Sequence, residues 1–330
     1  MAEIIKPQEL RNTERVKLWD VAPVETPFLV YFDPANPCNL RCKFCPTGYD
    51  DLAAMRENRV MKWELFASTV DQFKEFPQKI KHVTLCKDGE PLLNKRFADM
   101  VEYLRAADIA ERIITKTNGL LLSPKLNARL AECGLDNIGI SVKGLSPEAF
   151  EQIAGVRADY DKLVRNAADL FDKTRGTRTK IYASFLDTGI SEEERAKFYA
   201  DFGPISDFIA IEDLHGWSMS NAKDFTLGQT PKVTPYINRK IVCPLVLIAF
   251  VVNSSGTVSM CGEDWAERTV VGDLRKQTVK EIWNGEAIRD FRIMHLEGRR
   301  GENDACRNCN YLETLPDNVD EHRFDILERM

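Results

Sequence analysis

The sequence predicts an α/β protein, a partial (β/α)6 barrel followed by a small unit of one β-hairpin plus helix. Three observations predict it. Six short β-rich runs alternate with runs of 3.6-residue periodicity between Thr26 and Asp213. Six strands are too few to close an eight-stranded barrel. After Trp217 the texture changes to a polar stretch carrying Pro231 and Pro235, and then to a hairpin signal.

The β-rich runs fall at residues 28–32, 82–86, 113–117, 137–142, 180–185 and 208–212. Helical runs separate them at 62–76, 95–107, 124–133, 147–154, 161–173 and 192–201. Strands joined by helical crossovers lie parallel. The hairpin is expected from 245–252 and 258–260, turning at Asn253-Ser254-Ser255-Gly256, with helices at 279–283 and 286–296. Charge dominates beyond Glu321, so this tail is expected to be solvated or weakly docked. The expected division is an extension (1–25), the barrel (26–215), a linker (216–240), the hairpin-and-helix module (241–312) and the tail (313–330).

The chain has 330 residues, of which 44% are hydrophobic and 29% charged, an ordinary globular balance that excludes a disordered chain. A formal net charge of −6 argues against nucleic acid or anionic lipid as a partner. No apolar run approaches the roughly 18 residues of a membrane helix, and the first ten residues lack the apolar core of a secretory signal. A cytoplasmic protein is expected, without membrane or nucleic-acid contact.

Nine cysteines are the surplus to explain, because disulfides are rare in that compartment. Cys38, Cys42 and Cys45 form C-x3-C-x2-C just past the first strand, at the mouth of the barrel. Three thiolates there can hold three irons of a [4Fe–4S] cube and leave the fourth iron open. A zinc knuckle completed from elsewhere is the alternative. Cys243, Cys261, Cys306 and Cys309 form a later quartet around the hairpin, suited to a closed [4Fe–4S] cluster or to structural zinc. Cys133 reads as core. Cys86 ends the second strand, on the rim that faces the trio.

The trio, with Phe44 before its last cysteine, resembles the signature of the radical S-adenosylmethionine (SAM) superfamily. Lys87-Asp88-Gly89-Glu90-Pro91 is similar to that superfamily's Gly-Gly-Glu-Pro motif, with Asp88 in place of the first glycine. The resemblance implies a SAM-binding [4Fe–4S] cluster on the trio. It also implies SAM contacts from Phe44, Asp88, Gly89, Glu90 and Pro91, from Asn118 and Ser141 at strand ends, and from Arg157 toward the SAM carboxylate. Cys243-Pro, Gly272-Asp-Leu, Glu281-Ile-Trp283 and Cys306-x2-Cys309 resemble the SPASM/twitch modules of the superfamily. Four cysteines there imply one auxiliary [4Fe–4S] cluster. The quartet spacing is most similar to that of the 2-deoxy-scyllo-inosamine dehydrogenases, which oxidise a cyclitol alcohol to a ketone. Those enzymes carry aromatic residues where this chain has Asp88 and Lys116, which implies a different alcohol.

The function implied is radical oxidation of an alcohol on a small polar substrate (a sugar, aminosugar or cyclitol), with a flavodoxin or ferredoxin as reductant. Glu263, two residues past Cys261, and His215 are candidates to meet the substrate or its hydroxyl proton. Cys86 is a candidate hydrogen-atom donor. A radical epimerase or lyase (deaminase or decarboxylase) on a sugar or nucleotide sugar, and a peptide-modifying maturase, are the alternatives.

Overall fold

The computed structural model describes residues 2–5, 16–214, 223–228 and 240–330. Ten strands form one sheet: β1 (Glu3–Ile4), β2 (Leu29–Phe32), β3 (Ile80–Leu85), β4 (Ala110–Thr117), β5 (Asn137–Val142), β6 (Lys180–Asp187), β7 (Phe208–Asp213), β8 (Ala249–Val252), β9 (Thr257–Ser259) and β10 (Val270–Asp273). Their order is β1-β7-β6-β5-β4-β3-β2-β8-β9-β10. Strands β2 to β7 are parallel neighbours in chain order, which is the partial six-stranded barrel.

The helices of the first part are α1 (Leu18–Val21), α2 (Asp50–Ala53), α3 (Trp63–Phe73), α4 (Phe97–Ala107), α5 (Pro124–Glu132), α6 (Pro147–Ala154), α7 (Tyr160–Thr174) and α8 (Glu192–Phe202). Ser123 and Ser146 cap α5 and α6 by accepting from the amides of Leu126 and Ala149, each with proline at the first helical position. Ser191 and Glu194 form a capping box on α8. In α7 the buried residues Tyr160, Leu163, Ala167, Leu170 and Thr174 keep helical spacing and make one core-facing stripe. The second part carries α9 (Leu245–Ile248), α10 (Val279–Trp283), α11 (Glu286–Leu296), α12 (Asp304–Arg307) and α13 (Arg323–Glu328). No helix is long and apolar enough to cross a membrane among the described residues.

Alternation along the strands builds two faces. Val30, Phe32, Val83, Leu85 and Ile113 are buried under the helices. Their neighbours Tyr31, Thr84, Ile114 and Lys116 turn the other way and line the barrel interior.

Three expectations change. The hairpin does not stand apart: β8 pairs with β2 in parallel, Leu29 to Ala249 through Phe32 to Val252, so it continues the barrel's sheet. Residues 245–248 are helical, because Cys243-Pro244 opens a turn that Val246 and Leu247 close on the carbonyls of Cys243 and Pro244. An apolar run buried on every side has no period to separate strand from helix. β1, in the expected extension, pairs in parallel with β7. Of the two alternatives for the tail, the docked one holds: Ile326 is fully buried, and Arg329 donates to the carbonyls of Trp19 (2.5 Å) and Asp20 (3.3 Å).

Candidate functional site

The 38–45 loop leaves the C-terminal end of β2, and backbone bonds set its course. Arg41 N donates to Ala154 O (2.8 Å) and Lys43 N to Ile153 O (2.9 Å), so the loop rests on the last turn of α6. Gly155 ends that helix at φ +67°, against the Arg41 backbone. Burial, reinforced by the Glu90 and Cys45 charges, pushes the Cys38 thiol up to about 11; burial, reinforced by Cys45 and Cys38, pushes Cys42 up to about 12; and burial raises Cys45 as well. The Lys143 ammonium opposes this at all three. Lys143 donates to Ser141 Oγ (2.6 Å) and lies 5.1 Å from the Phe44 ring centroid.

The 87–91 segment meets the loop from the other side. A Cβ on Gly89 would overlap the carbonyl oxygens of Ala35 and Pro37, so only glycine allows this approach. Glu90 N donates to Pro37 O (2.9 Å). Gly89→Ala is therefore expected to cost about 3 kcal/mol of stability, read as a lower urea midpoint. The Glu90 carboxylate is buried and accepts from Thr117 Oγ1 (2.6 Å), Leu92 N (3.1 Å) and Asn118 N (2.8 Å). Burial raises it above the usual range although those donors work the other way. Three of its roughly four acceptor positions are taken, leaving about one for a ligand. Asn118 Nδ2 donates to Asn39 Oδ1 (2.7 Å), beside Cys38. Glu90, Asn118, Ser141 and Phe44 thus converge on the loop of the trio.

The Asp88 carboxyl and Arg157 do not face this point. The Asp88 carboxyl is out of solvent and turned to Lys87 Nζ (2.5 Å) and Arg56 Nη1 (2.6 Å). Only its carbonyl turns toward the loop, accepting from Thr47 Oγ1 (3.5 Å). Arg157 is exposed and paired with Glu148 and with Glu151 (3.4 Å). Those two carboxylates, on the first and second turns of α6, hold its guanidinium at the surface. Arg157→Ala should leave SAM affinity within about twofold by equilibrium dialysis, the small effect of an exposed pair. His215 lies outside the described residues. Cys133 is core, its thiol on Leu130 O (3.3 Å).

The late quartet shares one enclosed cavity, with His295 and Arg300 also in its wall. Burial, with the neighbouring Cys309 charge, pushes Cys243 up to about 12, and burial holds Cys261 well above the usual range. Arg300 bonds the carbonyls of Cys306 and Cys309. Burial and the Arg300 charge push His295 down to about 3. Among the described residues, no group of three or more His, Cys, Asp or Glu could hold a single metal ion. A four-iron cube is larger than an ion and takes thiolates that stand further apart.

Inside the barrel lies a cavity of about 420 Å³. Cys86, Lys87, Lys116, Tyr182 and Glu212 line it from the strands, and Gly262 and Glu263 from the segment after Cys261. Lys116 Nζ holds both Glu212 oxygens (2.8 and 2.9 Å), and Tyr182 donates to one of them (2.8 Å). Burial works against ionisation of Glu212, but Lys116 outweighs it and holds the carboxyl below its usual range. Burial pushes the Cys86 thiol up to about 12, so it is protonated at neutral pH.

A buried junction ties the sites together. Trp265 Nε1 donates to Thr47 Oγ1 (3.1 Å), two residues from Cys45. Arg56 stacks 4.2 Å over the Trp265 ring and donates to its carbonyl (3.2 Å), and Lys87 Nζ donates to Asp264 O (3.1 Å).

Residues 34–202 match the radical SAM superfamily, half of the chain, and residues 243–310 match an iron–sulfur cluster-binding domain (SPASM). The chain belongs to the radical SAM superfamily. Over 285 residues it is 27% identical to the S-adenosyl-L-methionine-dependent 2-deoxy-scyllo-inosamine dehydrogenase of Niallia circulans, covering 83% of this chain and 89% of that one. It is 25% identical over 276 residues to a tungsten-containing aldehyde ferredoxin oxidoreductase cofactor-modifying protein of Pyrococcus furiosus, covering 81% and 71%. The crystal structure of BtrN in complex with AdoMet and 2-DOIA shares the fold at a TM-score of 0.54 and 20% identity, covering 86% of this chain and 92% of that one.

This radical SAM enzyme therefore uses a [4Fe–4S] cluster with SAM, and its SPASM region implies auxiliary iron–sulfur chemistry. The residues present fit both groups. Soft thiolates suit iron–sulfur ligation, and the convergent donors and acceptors beside the trio suit an amino acid moiety. Sequence reasoning passed over Thr47 and His295 as site residues.

Proposed function

We propose that this enzyme oxidises an alcohol to a ketone on a small polar substrate bound in the barrel cavity, and that the trio and the quartet each hold a [4Fe–4S] cluster. The observation that carries the reading is that one cavity has Lys116, Tyr182 and Glu212 in its barrel wall and Glu263, two residues from Cys261, in the facing wall. When bound, the first cluster and SAM supply a radical that removes hydrogen from a substrate carbon, and the second cluster supplies an acceptor for one electron.

The chain's residues do the rest. Glu90, Asn118 and Ser141 orient SAM above the trio's loop. Lys116, Tyr182 and Glu212 grip hydroxyl or amino groups, since they present donors and an ionised acceptor together. Glu263 takes the hydroxyl proton. Its amide donates to Cys261 Sγ (3.3 Å), so proton and electron leave on the same side of the substrate. The balance is an alcohol losing a hydrogen atom, a proton and an electron. Electrons for the first cluster come from a flavodoxin or ferredoxin.

The test is anaerobic incubation with SAM, a reductant and a panel of aminosugars and cyclitols. A product lighter by two hydrogens, formed with 5′-deoxyadenosine, supports the reading; modification of a peptide and of no polyol ends it.

A second reading, epimerisation, rests on Cys86, a protonated thiol in the same wall. There Cys86→Ala would stop product formation by at least ~10²-fold while SAM cleavage continued. Under alcohol oxidation the variant keeps turnover within about threefold, followed by the mass of the product.

A further inference from the structure

We infer that the His295 imidazole is a hydrogen-bond donor to the auxiliary cluster and raises that cluster's reduction potential. This rests on the reading that Cys243, Cys261, Cys306 and Cys309 hold the cluster. His295 stands in the last turn of α11 and is 1% exposed. Its ring forms part of the wall of the cavity that the four thiols share. Neither Nδ1 nor Nε2 has a hydrogen-bond partner among the described residues. Buried polar groups are rarely left so, because desolvation without a partner costs free energy.

The ring's position is fixed. Phe291, one turn earlier on the same helix face, stacks on it with centroids 5.2 Å apart. A neutral imidazole carries one N–H donor. Sulfur is the acceptor the cavity holds in quantity. Asp264 Oδ1 shares that wall and is itself unpartnered, so it is not bonded to His295.

A donor to a thiolate or sulfide stabilises the reduced cluster more than the oxidised one, since the added electron increases charge on sulfur. The potential therefore rises. Asp264 places negative charge on the same wall and acts in the opposite sense, while Arg300 acts with His295. A higher potential favours an acceptor that must take an electron from a substrate radical.

The test uses the reconstituted full chain. Potentials are titrated by electron paramagnetic resonance, and the first cluster is recognised because its signal responds to added SAM. His295→Leu should move the auxiliary potential to a more negative value, and His295→Gln, which keeps an N–H donor, should move it less. An unchanged potential in a fully loaded His295→Leu protein overturns the proposal. Where either variant fails to load the cluster, wild-type protein labelled with ¹⁵N-histidine decides. Of the four histidines, His82 faces the barrel cavity, His322 stacks on Trp19 and His215 lies outside the described residues. A weak ¹⁵N coupling to the reduced auxiliary cluster supports the hydrogen bond. A strong coupling means direct ligation and overturns it, as does none. Wild-type protein with no auxiliary signal refutes the four-thiol reading instead.

Discussion

Replacing Cys38, Cys42 and Cys45 together with alanine is expected to abolish SAM cleavage, cutting 5′-deoxyadenosine formation by at least ~10³-fold, or ~4 kcal/mol in barrier. Total iron should fall from about eight to about four per chain, since a cube on the quartet is untouched. The fold should persist, because the loop's course is set by the amides of Arg41 and Lys43 on α6 and not by the thiols. Near-native circular dichroism with halved iron is the expected pair of readings. Iron still near eight, or continued SAM cleavage, would show that the cluster sits elsewhere.

Cys306→Ala combined with Cys309→Ala should uncouple the reaction instead. SAM cleavage should stay within about tenfold of wild type, while oxidised product falls by at least ~10²-fold. The ratio of 5′-deoxyadenosine to ketone measures this directly. The physical reason is that removal of a hydrogen atom needs only the first site, whereas completing the oxidation needs somewhere for the second electron. Arg300, which holds both cysteine carbonyls, would keep the loop in place in the variant. A ketone yield unaffected by loss of the auxiliary iron would contradict the proposed role.

The parallel core was legible because its strands are short apolar runs between helical runs, two of which, α5 and α6, start with serine and proline. What was not legible had no local signal. Two residues, Glu3 and Ile4, cannot show a period, and their pairing with β7 is a long-range choice. The strand Val270–Asp273 has no alternating run to mark it, and its Gly272 makes room for Ile282. Within the site, the trio and the Gly-Glu-Pro run were readable because the residues are close in sequence. Arg157 misled because a surface carboxylate pair competes for it. The Asp88 carboxyl is claimed by its neighbours Arg56 and Lys87, a partnership the motif alone does not show. His295 gave no sign, since a lone histidine on a buried helix face looks like packing until its neighbours in space are known.

The parallel pairing of β8 with β2 leaves the C-terminal metal centre without a hinge. A span set by a hydrogen-bonded ladder does not lengthen or shorten as the enzyme cycles. Electron tunnelling between the iron centres and the substrate would then proceed over a constant gap, and its rate should be insensitive to solvent viscosity.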